Sequence, residues 1–318
     1  MTLTIDQTDH LLSVIAQGFA TRDQERAPIL HTPAEVGLDF DDVTFPSMDG
    51  VPLEGWFIPA AGSTKLIIAN HPMGFSRSGQ PTDREPWRAE FGSVAGGVNG
   101  VEVNFVPDLK ILHDAGYNVL TYDLRNHGLS GSGNGGRVGS GWYEARDVVG
   151  SLRFARDDAR MQGMTIGLFS RCLGCNSTFA GLTQFPDEFA DVRCLVGAQP
   201  ITTHIVVAHQ LALAGVPADR LDAAMADLDE RITISTSRSF AERDTREWAK
   251  AVTLPTYLYG VYDDALTDHT DLETQFENLS TTDKQIAWVR DTPSRWDGYL
   301  EFQRRPQPML DWFEQHMG

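Results

Sequence analysis

Short apolar runs alternate with amphipathic segments over most of the chain. The runs are rich in β-branched and aromatic residues, which is typical of buried strands, and the segments between them carry apolar residues at helical spacing. This alternation predicts the α/β class, with a mostly parallel sheet covered by helices on both faces. The predicted strands are 65–70, 117–122, 164–169, 192–198, 254–260 and 285–289, and the predicted helices are 106–115, 142–157, 172–184, 271–279 and 308–316.

Two segments add to this pattern near the start of the sheet. Residues 43–60 hold two β-rich runs joined through Asp49-Gly50, a pair that favours a tight hairpin turn. Residues 80–104 are polar and rich in glycine, and loops of this length in compact domains are usually lids or disordered. We therefore expect a hairpin before strand 65–70 and a long insertion after it.

Residues 201–252 break the alternation, because their helical patterns have no strand between them. We interpret them as a helical cap. The cap divides an α/β core that is formed by residues 41–200 and 253–318. Residues 1–40 are predicted to be an N-terminal helical extension.

The composition excludes several classes of protein. With 41% hydrophobic residues in a chain of 318, the protein can bury a large core and is not disordered. The formal net charge is 26 − 44 = −18, and this acidic excess repels nucleic-acid phosphates and anionic lipids. No apolar run approaches the ~20 residues of a membrane-spanning helix. We expect a small-molecule substrate and no nucleic-acid or membrane partner; a homodimer is one option for the assembly.

The three cysteines, Cys172, Cys175 and Cys194, are too few for a disulfide framework. The first residues lack the basic and apolar segments of a secretion signal, so a cytoplasmic location is expected. Cys172 and Cys175 have no two further ligands at metal-binding spacing. We therefore expect neither a metal nor a dissociable cofactor.

Residues 170–174, with the sequence SRCLG, lie between a predicted strand and a predicted helix. Small residues two positions before and after Cys172 permit a turn sharp enough to project its side chain alone from the sheet. Ser170 cannot be the centre, since Leu168 and Cys172 would flank it. A thiol at a helix N-terminus meets free N–H groups and the positive end of the helix dipole, which favour a thiolate. Cys172 is therefore a candidate nucleophile, with a buried structural cysteine as the alternative.

Three further motifs carry a resemblance to a known family. Residues 123–130 read DLRNHGLS, similar to the D-x-R-x-H-G-x-S segment of many α/β-hydrolases, and residues 71–74, HPMG, occupy the place of their oxyanion loop. The sharp turn at Cys172 is called the elbow. Together with this elbow, the motifs resemble the α/β-hydrolase family from about residue 43 to the C-terminus. A cysteine at the elbow is similar to the dienelactone-hydrolase branch. Residues 295–299, RWDGY, stand where the family has its catalytic histidine loop.

The resemblance implies roles for particular residues. The backbone N–H groups of Leu173 and Met73 would form the oxyanion hole, and Asp263 falls at the position of the triad acid. Asp263 could instead belong to a solvated turn or cap a helix. His71 and His127 are more often structural in this fold, and a direct chemical role of His71 is the alternative.

The histidine of the triad has no counterpart, because no histidine lies between His269 and His316. Asp297 could serve as the base, or a relocated histidine could: His269 from the next helix, or His204 or His209 from the cap. Arg295 could clamp a carboxylate or enolate of the substrate, or form a structural bridge with Asp297 and Asp263.

Three functions remain open. An acyl hydrolase or acyl transferase would act through Cys172 on a small or medium ester or lactone, with specialised metabolism as one setting. A lyase would abstract an acidic C–H proton and expel a carboxylate such as acetate. A catalytically inactive protein would only bind a small molecule. We expect the first of these, with Trp296 and Tyr299 as walls of the site.

Overall fold

The computed structural model describes residues 2–22, 25–89 and 99–318. Its strands are β1 (Asp41–Pro46), β2 (Pro52–Ile58), β3 (Lys65–Asn70), β4 (Gly79–Pro81), β5 (Glu102–Asn104), β6 (Asn118–Tyr122), β7 (Thr165–Arg171), β8 (Val192–Ala198), β9 (Thr256–Val261) and β10 (Lys284–Val289). Its α-helices are α1 (Ile5–Ala20), α2 (Val106–Asp114), α3 (Ala145–Asp157), α4 (Leu173–Gln184), α5 (Thr203–Ala214), α6 (Ala218–Thr236), α7 (Thr245–Ala249), α8 (His269–Asn278), α9 (Arg295–Arg304) and α10 (Gln307–Met317). None of these helices is both long enough and apolar enough to cross a lipid bilayer.

Within the part of the chain that the structure describes, the main sheet has eight strands in the order β1-β2-β6-β3-β7-β8-β9-β10. The hairpin β1–β2 forms one edge, and β2 is antiparallel to both of its neighbours. The other neighbouring strands are parallel. The predicted hairpin and the predicted, mostly parallel sheet are therefore both present.

Helices cover both faces of this sheet. Leu66 and Ile68 of β3 pack in a cluster with side chains of α3 and α4, whereas Ile67 packs on the opposite face with side chains of α2 and α10. Because both faces are buried, the central strands are apolar at successive positions instead of alternating with polar residues. The predicted bounds 65–70 and 192–198 agree with β3 and β8.

The structure differs from the sequence-based prediction in two places. Residues 291–299, predicted as a loop, contain the start of α9. This short helix is stabilised by burial of Trp296, Tyr299 and Phe302, which local sequence preference alone does not supply. The predicted insertion 80–104 includes the short antiparallel pair β4–β5, and its residues 90–98 lie outside the described residues.

The N-terminal helix α1 belongs to the same helical layer as the predicted cap. Leu12 of α1 packs in one apolar cluster with Leu228 of α6 and with residues of α5. Asp9 forms an ion pair with Arg231 of α6 at 2.5 Å. The extension and the cap, predicted as separate units, are therefore packed together over the core.

Buried ion pairs hold the DLRNHGLS segment after β6. Asp123 accepts hydrogen bonds from the backbone N–H groups of Arg77 at 2.6 Å and Leu129 at 2.9 Å, and it pairs with the Arg77 guanidinium. Arg125 pairs with the buried Asp147 at 2.8 Å. Because Arg77 follows β3, the Asp123 pair joins the loops that leave two adjacent parallel strands.

Replacing Asp123 by alanine would leave the Arg77 side chain, which is 4% exposed, without its counter-charge. We expect the free energy of unfolding, measured by urea denaturation, to fall by ~3–5 kcal/mol, because an unpaired buried charge is strongly unfavourable. As a control, Asp114→Ala removes an exposed partner of Lys110 and should change it by less than ~1 kcal/mol. Equally small changes in both variants would contradict this role of Asp123.

Candidate active site

Cys172 occupies a sharp turn between β7 and α4. Its backbone has φ 47° and ψ −109°, in the positive-φ region that non-glycine residues seldom adopt. Gly174 permits α4 to pack closely against the end of β3, since a Cβ at Gly174 would lie 2.6 Å from the Cβ of Asn70. The backbone N–H of Cys172 donates to the carbonyl of Ala198 at 2.7 Å. The SRCLG pattern thus forms a strand-turn-helix elbow with the cysteine at its centre.

Cys172 borders a cavity of about 150 Å³. Its side chain is 6% exposed, whereas Cys175 and Cys194 are fully buried. Burial raises the pKa of Cys175 well above its usual value and raises the pKa of Cys194 to about 12. Cys172 is therefore the thiol with access to the cavity.

Met73 and Leu173 line the same cavity. Leu173 is the first residue of α4, where a backbone N–H has no acceptor within the helix. Met73 lies in a turn that is closed by a hydrogen bond from the N–H of Phe75 to the carbonyl of Pro72 at 3.3 Å. The structure brings both residues to Cys172, and their role as oxyanion donors stays a prediction.

A buried chain of polar side chains leads from Cys172 to Asp264. Tyr299 and Cys172 pack in one cluster of buried side chains, and the Tyr299 hydroxyl accepts a hydrogen bond from Nε of Arg295 at 3.0 Å. Arg295 also forms an ion pair with Asp264 and donates to the carbonyl of Gln199. Because Arg295 donates to the tyrosine oxygen, the O–H of Tyr299 is free to donate to sulfur.

The ionisation states in this chain are set by burial and by its neighbours. Burial raises the pKa of Tyr299 well above its usual value, so the phenol is neutral near neutral pH. Burial alone would lower the pKa of Arg295, but Tyr299 and Asp264 raise it well above its usual value, so the guanidinium stays charged. The sulfur of Cys172 therefore meets a neutral O–H donor that is supported by a fixed positive charge.

The RWDGY segment forms the first turns of α9, and its positions have distinct environments. Arg295 and Tyr299 lie about one helical turn apart and form the polar chain. Trp296 packs in the apolar cluster that also holds Cys172. Gly298 admits the side chain of Gln199, because a Cβ there would lie 2.4 Å from its Cδ. Tyr299, predicted as a wall residue, instead contacts the candidate nucleophile.

Asp263, the predicted acid, is exposed, and the adjacent Asp264 holds the buried position instead. The Oδ1 atom of Asp264 accepts a hydrogen bond from the backbone N–H of Leu266 at 2.9 Å, and the same carboxylate pairs with Arg295. The structural bridge expected for Arg295 therefore exists, but its acid is Asp264. Asp264 forms the ion pair because its carboxylate is buried beside the Arg295 guanidinium, whereas Asp263 is exposed.

His71 has both ring nitrogens engaged. Its Nδ1 bonds to the carbonyl of Pro72 at 2.7 Å, and its Nε2 accepts from the backbone N–H of Leu124 at 2.9 Å. Burial lowers the pKa of His71 to about 4 and that of His127 to about 3. His71 is thus a neutral residue that joins the loops after β3 and β6, which agrees with the structural role favoured from the sequence and not with the alternative of a direct chemical role.

The other predicted bases also lie outside the polar chain. Asp297 is half-exposed and pairs with Arg304 at 2.7 Å. His204 bonds to an arginine of the cap at 2.8 Å, and His269 stacks on a tyrosine ring. Among the described residues, those that line the Cys172 cavity include neither a histidine nor a carboxylate.

Sequence reasoning missed Asp264 as a member of the site, and it named Tyr299 only as a wall of the site and not as part of a polar chain. Arg295 and Tyr299 are four residues apart, which places them on one face of a helix. The prediction of a loop over residues 291–299 does not take this helical spacing into account, whereas the structure has α9 from Arg295 onward. No sequence signal identifies Gln199, whose carbonyl reaches Arg295 from the end of β8.

Comparison with known proteins identifies the fold. No protein-family model matches the chain, and the comparison with curated proteins found no match. The structure of the Pyrococcus furiosus esterase Pf2001 is similar, with a TM-score of 0.67 and 20% identity over 93% of this chain and 98% of that one. A dienelactone hydrolase from Anabaena variabilis has a TM-score of 0.53 and 16% identity over 88% of this chain and 99% of its own. An acetyl xylan esterase from Paenibacillus has a TM-score of 0.58 and 13% identity over 98% and 96%. The predicted α/β-hydrolase fold is therefore confirmed.

Iodoacetamide labelling separates Cys172 from the two fully buried thiols. We expect the native protein to be alkylated at Cys172 at least ~tenfold faster than at Cys175 or Cys194, because only an accessible thiolate reacts readily. Peptide mass spectrometry measures the three rates, and Cys172→Ser should lack the fast phase. Three equally slow rates that rise together with denaturant would refute the assignment.

Proposed function

We propose that the protein is a cysteine-dependent acyl hydrolase or acyl transferase that acts on a small or medium ester or lactone. Cys172 is the nucleophile. The observation that carries the proposal is the position of this thiol, at a strained elbow, on a cavity, and in contact with a tyrosine–arginine–aspartate chain. The esterases of similar fold support an acyl substrate.

The first half-reaction acylates the cysteine. The Cys172 sulfur attacks the carbonyl carbon of the ester, forming a C–S bond while the carbonyl electron pair moves to oxygen. The N–H groups of Leu173 and Met73 would stabilise that oxyanion. Collapse of the intermediate breaks the C–O bond of the ester, and the proton lost by the thiol leaves with the alcohol.

Tyr299, Arg295 and Asp264 place a hydrogen-bond donor and a fixed positive charge beside the Cys172 sulfur. The tyrosine O–H donates to the sulfur, and hydrogen bonds to a charged atom are stronger than those between neutral groups. Arg295 polarises this hydroxyl and offsets the negative charge on sulfur, and Asp264 holds the guanidinium in place. In this proposal, Tyr299 touches the reacting atom, whereas Arg295 and Asp264 are positioning residues.

The second half-reaction returns the free enzyme. A water molecule or another nucleophile attacks the thioester carbonyl, the C–S bond breaks, and the proton of the nucleophile returns to sulfur. The cavity-lining residues that the structure describes include no imidazole or carboxylate to activate water. We therefore expect slow hydrolysis of the acyl-enzyme and faster transfer to a nucleophile stronger than water. Specialised metabolism, a cytoplasmic location and a homodimer stay predictions from the sequence.

Incubation with p-nitrophenyl butanoate should release a burst of about one equivalent of p-nitrophenol, followed by a slower steady state, because acylation outpaces deacylation. Intact-protein mass spectrometry should show one butanoyl group, which peptide mapping assigns to Cys172. Added hydroxylamine should raise the steady-state rate.

The matched controls are Cys172→Ala, which should show neither burst nor adduct, and Cys175→Ala, which should retain both. A lyase would release a carboxylate without acylating Cys172, and an inactive binding protein would release nothing. Either result from the wild-type protein with a panel of esters would reject the proposal.

Tyr299→Phe removes the hydroxyl that contacts the sulfur. We expect the rate of Cys172 alkylation and the burst rate, both measured near neutral pH, to fall about tenfold, which corresponds to ~1.4 kcal/mol for one hydrogen bond to a charged atom. The control is Tyr259→Phe, since the Tyr259 hydroxyl is buried without a hydrogen-bond partner among the described residues. Equal rates in both variants, at unchanged melting temperatures, would exclude a role for Tyr299 in activating the thiol.

A further inference from the structure

The cavity at Cys172 adjoins a second cavity beneath α1. The inner cavity measures about 150 Å³, and the outer one measures about 240 Å³. Phe19, Met73 and Ser140 line both, so these side chains form the boundary between them. Phe19 comes from the N-terminal helix, far in sequence from the elbow.

Contacts along α1 fix the position of Phe19. The helix is tied at its start by a hydrogen bond from the backbone N–H of Leu3 to the carbonyl of Gly215 at 2.9 Å, and further along by the Asp9–Arg231 ion pair. The Phe19 ring contacts the ring of Phe240 edge to face, with centroids 6.3 Å apart. The boundary is therefore held by the packing of α1 on the cap.

The inner cavity is suited to an uncharged, apolar group. Ile201, Val206, Val207 and Leu173 are among the residues that line it. Charged side chains are absent from the described residues that line either cavity. A cavity of about 150 Å³ with mostly apolar walls accommodates a group the size of benzene.

We infer that the inner cavity is the acyl-binding site, that it accepts an uncharged acyl group of about four to six carbons, and that Phe19 sets this limit. The inference rests on the proposed function, in which Cys172 becomes acylated. An acyl chain of twelve carbons would have to pass the Phe19 ring to reach the outer cavity. Replacing Phe19 by alanine removes the ring, which would join the two cavities and admit the longer acyl chain.

The first measurement does not depend on turnover. Butanamide, hexanamide and dodecanamide are tested for their ability to slow the alkylation of Cys172 by iodoacetamide. Wild-type protein should be protected by hexanamide at a concentration at least fivefold lower than by dodecanamide. In Phe19→Ala this order should reverse, and burst rates with p-nitrophenyl hexanoate and dodecanoate should shift in the same direction.

Val14→Ala is the matched control, because Val14 lies on the exposed side of α1, 52% exposed, and lines neither cavity. Val14→Ala should keep the wild-type order of protection, in which hexanamide protects Cys172 at a lower concentration than dodecanamide. If Phe19→Ala does not fold, Phe19→Leu should give a smaller shift in the same direction. An unchanged order in a folded Phe19 variant overturns the inference.

The measurements distinguish a failure of the proposed function from a failure of the proposed acyl-binding site. Chain-length-dependent protection without any acylation of Cys172 would reject the proposed function and support the binding site. Acylation of Cys172 at equal rates by hexanoyl and dodecanoyl esters, with no order in the protection, would reject the acyl-binding site and support the proposed function.

Discussion

The buried guanidinium of Arg295 is the charge on which the arrangement of the site depends. A buried charge is strongly unfavourable unless it is ion-paired and hydrogen-bonded. Arg295 meets this requirement through the Asp264 carboxylate, the Gln199 carbonyl and the Tyr299 hydroxyl. These partners come from the loop after β9, the end of β8 and α9 itself, so one side chain joins three elements of the fold. With Arg295 fixed, Tyr299 lies one helical turn away against the Cys172 sulfur.

A phenol and an imidazole do different chemistry in contact with a nucleophile. An imidazole exchanges protons near neutral pH, whereas a phenol whose pKa is raised by burial keeps its proton and acts as a hydrogen-bond donor. The chain from Tyr299 to Asp264 therefore supplies a neutral hydrogen-bond donor and a fixed positive charge without providing a base for water. Fold likeness to esterases does not decide between hydrolysis and transfer, because that decision lies in such local groups.

The helical layer over the sheet is assembled from distant parts of the sequence. Helix α1 packs on α6, and Phe19 near its end reaches the boundary of the cavity at Cys172. The core supplies the elbow and the polar chain, while the layer supplies most of the apolar wall. In the proposed function and the proposed acyl-binding site, reactivity and substrate size are thus assigned to different structural units.

The sequence by itself determined which segments form the strands of the main sheet, the hairpin at Asp49-Gly50 and the elbow at Cys172. These features rest on local causes: apolar periodicity, a turn-forming pair, and small residues around a strained backbone. Asp263 and His71 show the limit of that reasoning, since motif position does not reveal which aspartate is buried or whether a histidine nitrogen is free. Tertiary structure alone decided that Asp264 pairs with Arg295, that Tyr299 meets the sulfur and that α1 borders the cavity. Each of these contacts joins residues far apart in the chain, and their energy comes from burial, which the sequence does not display.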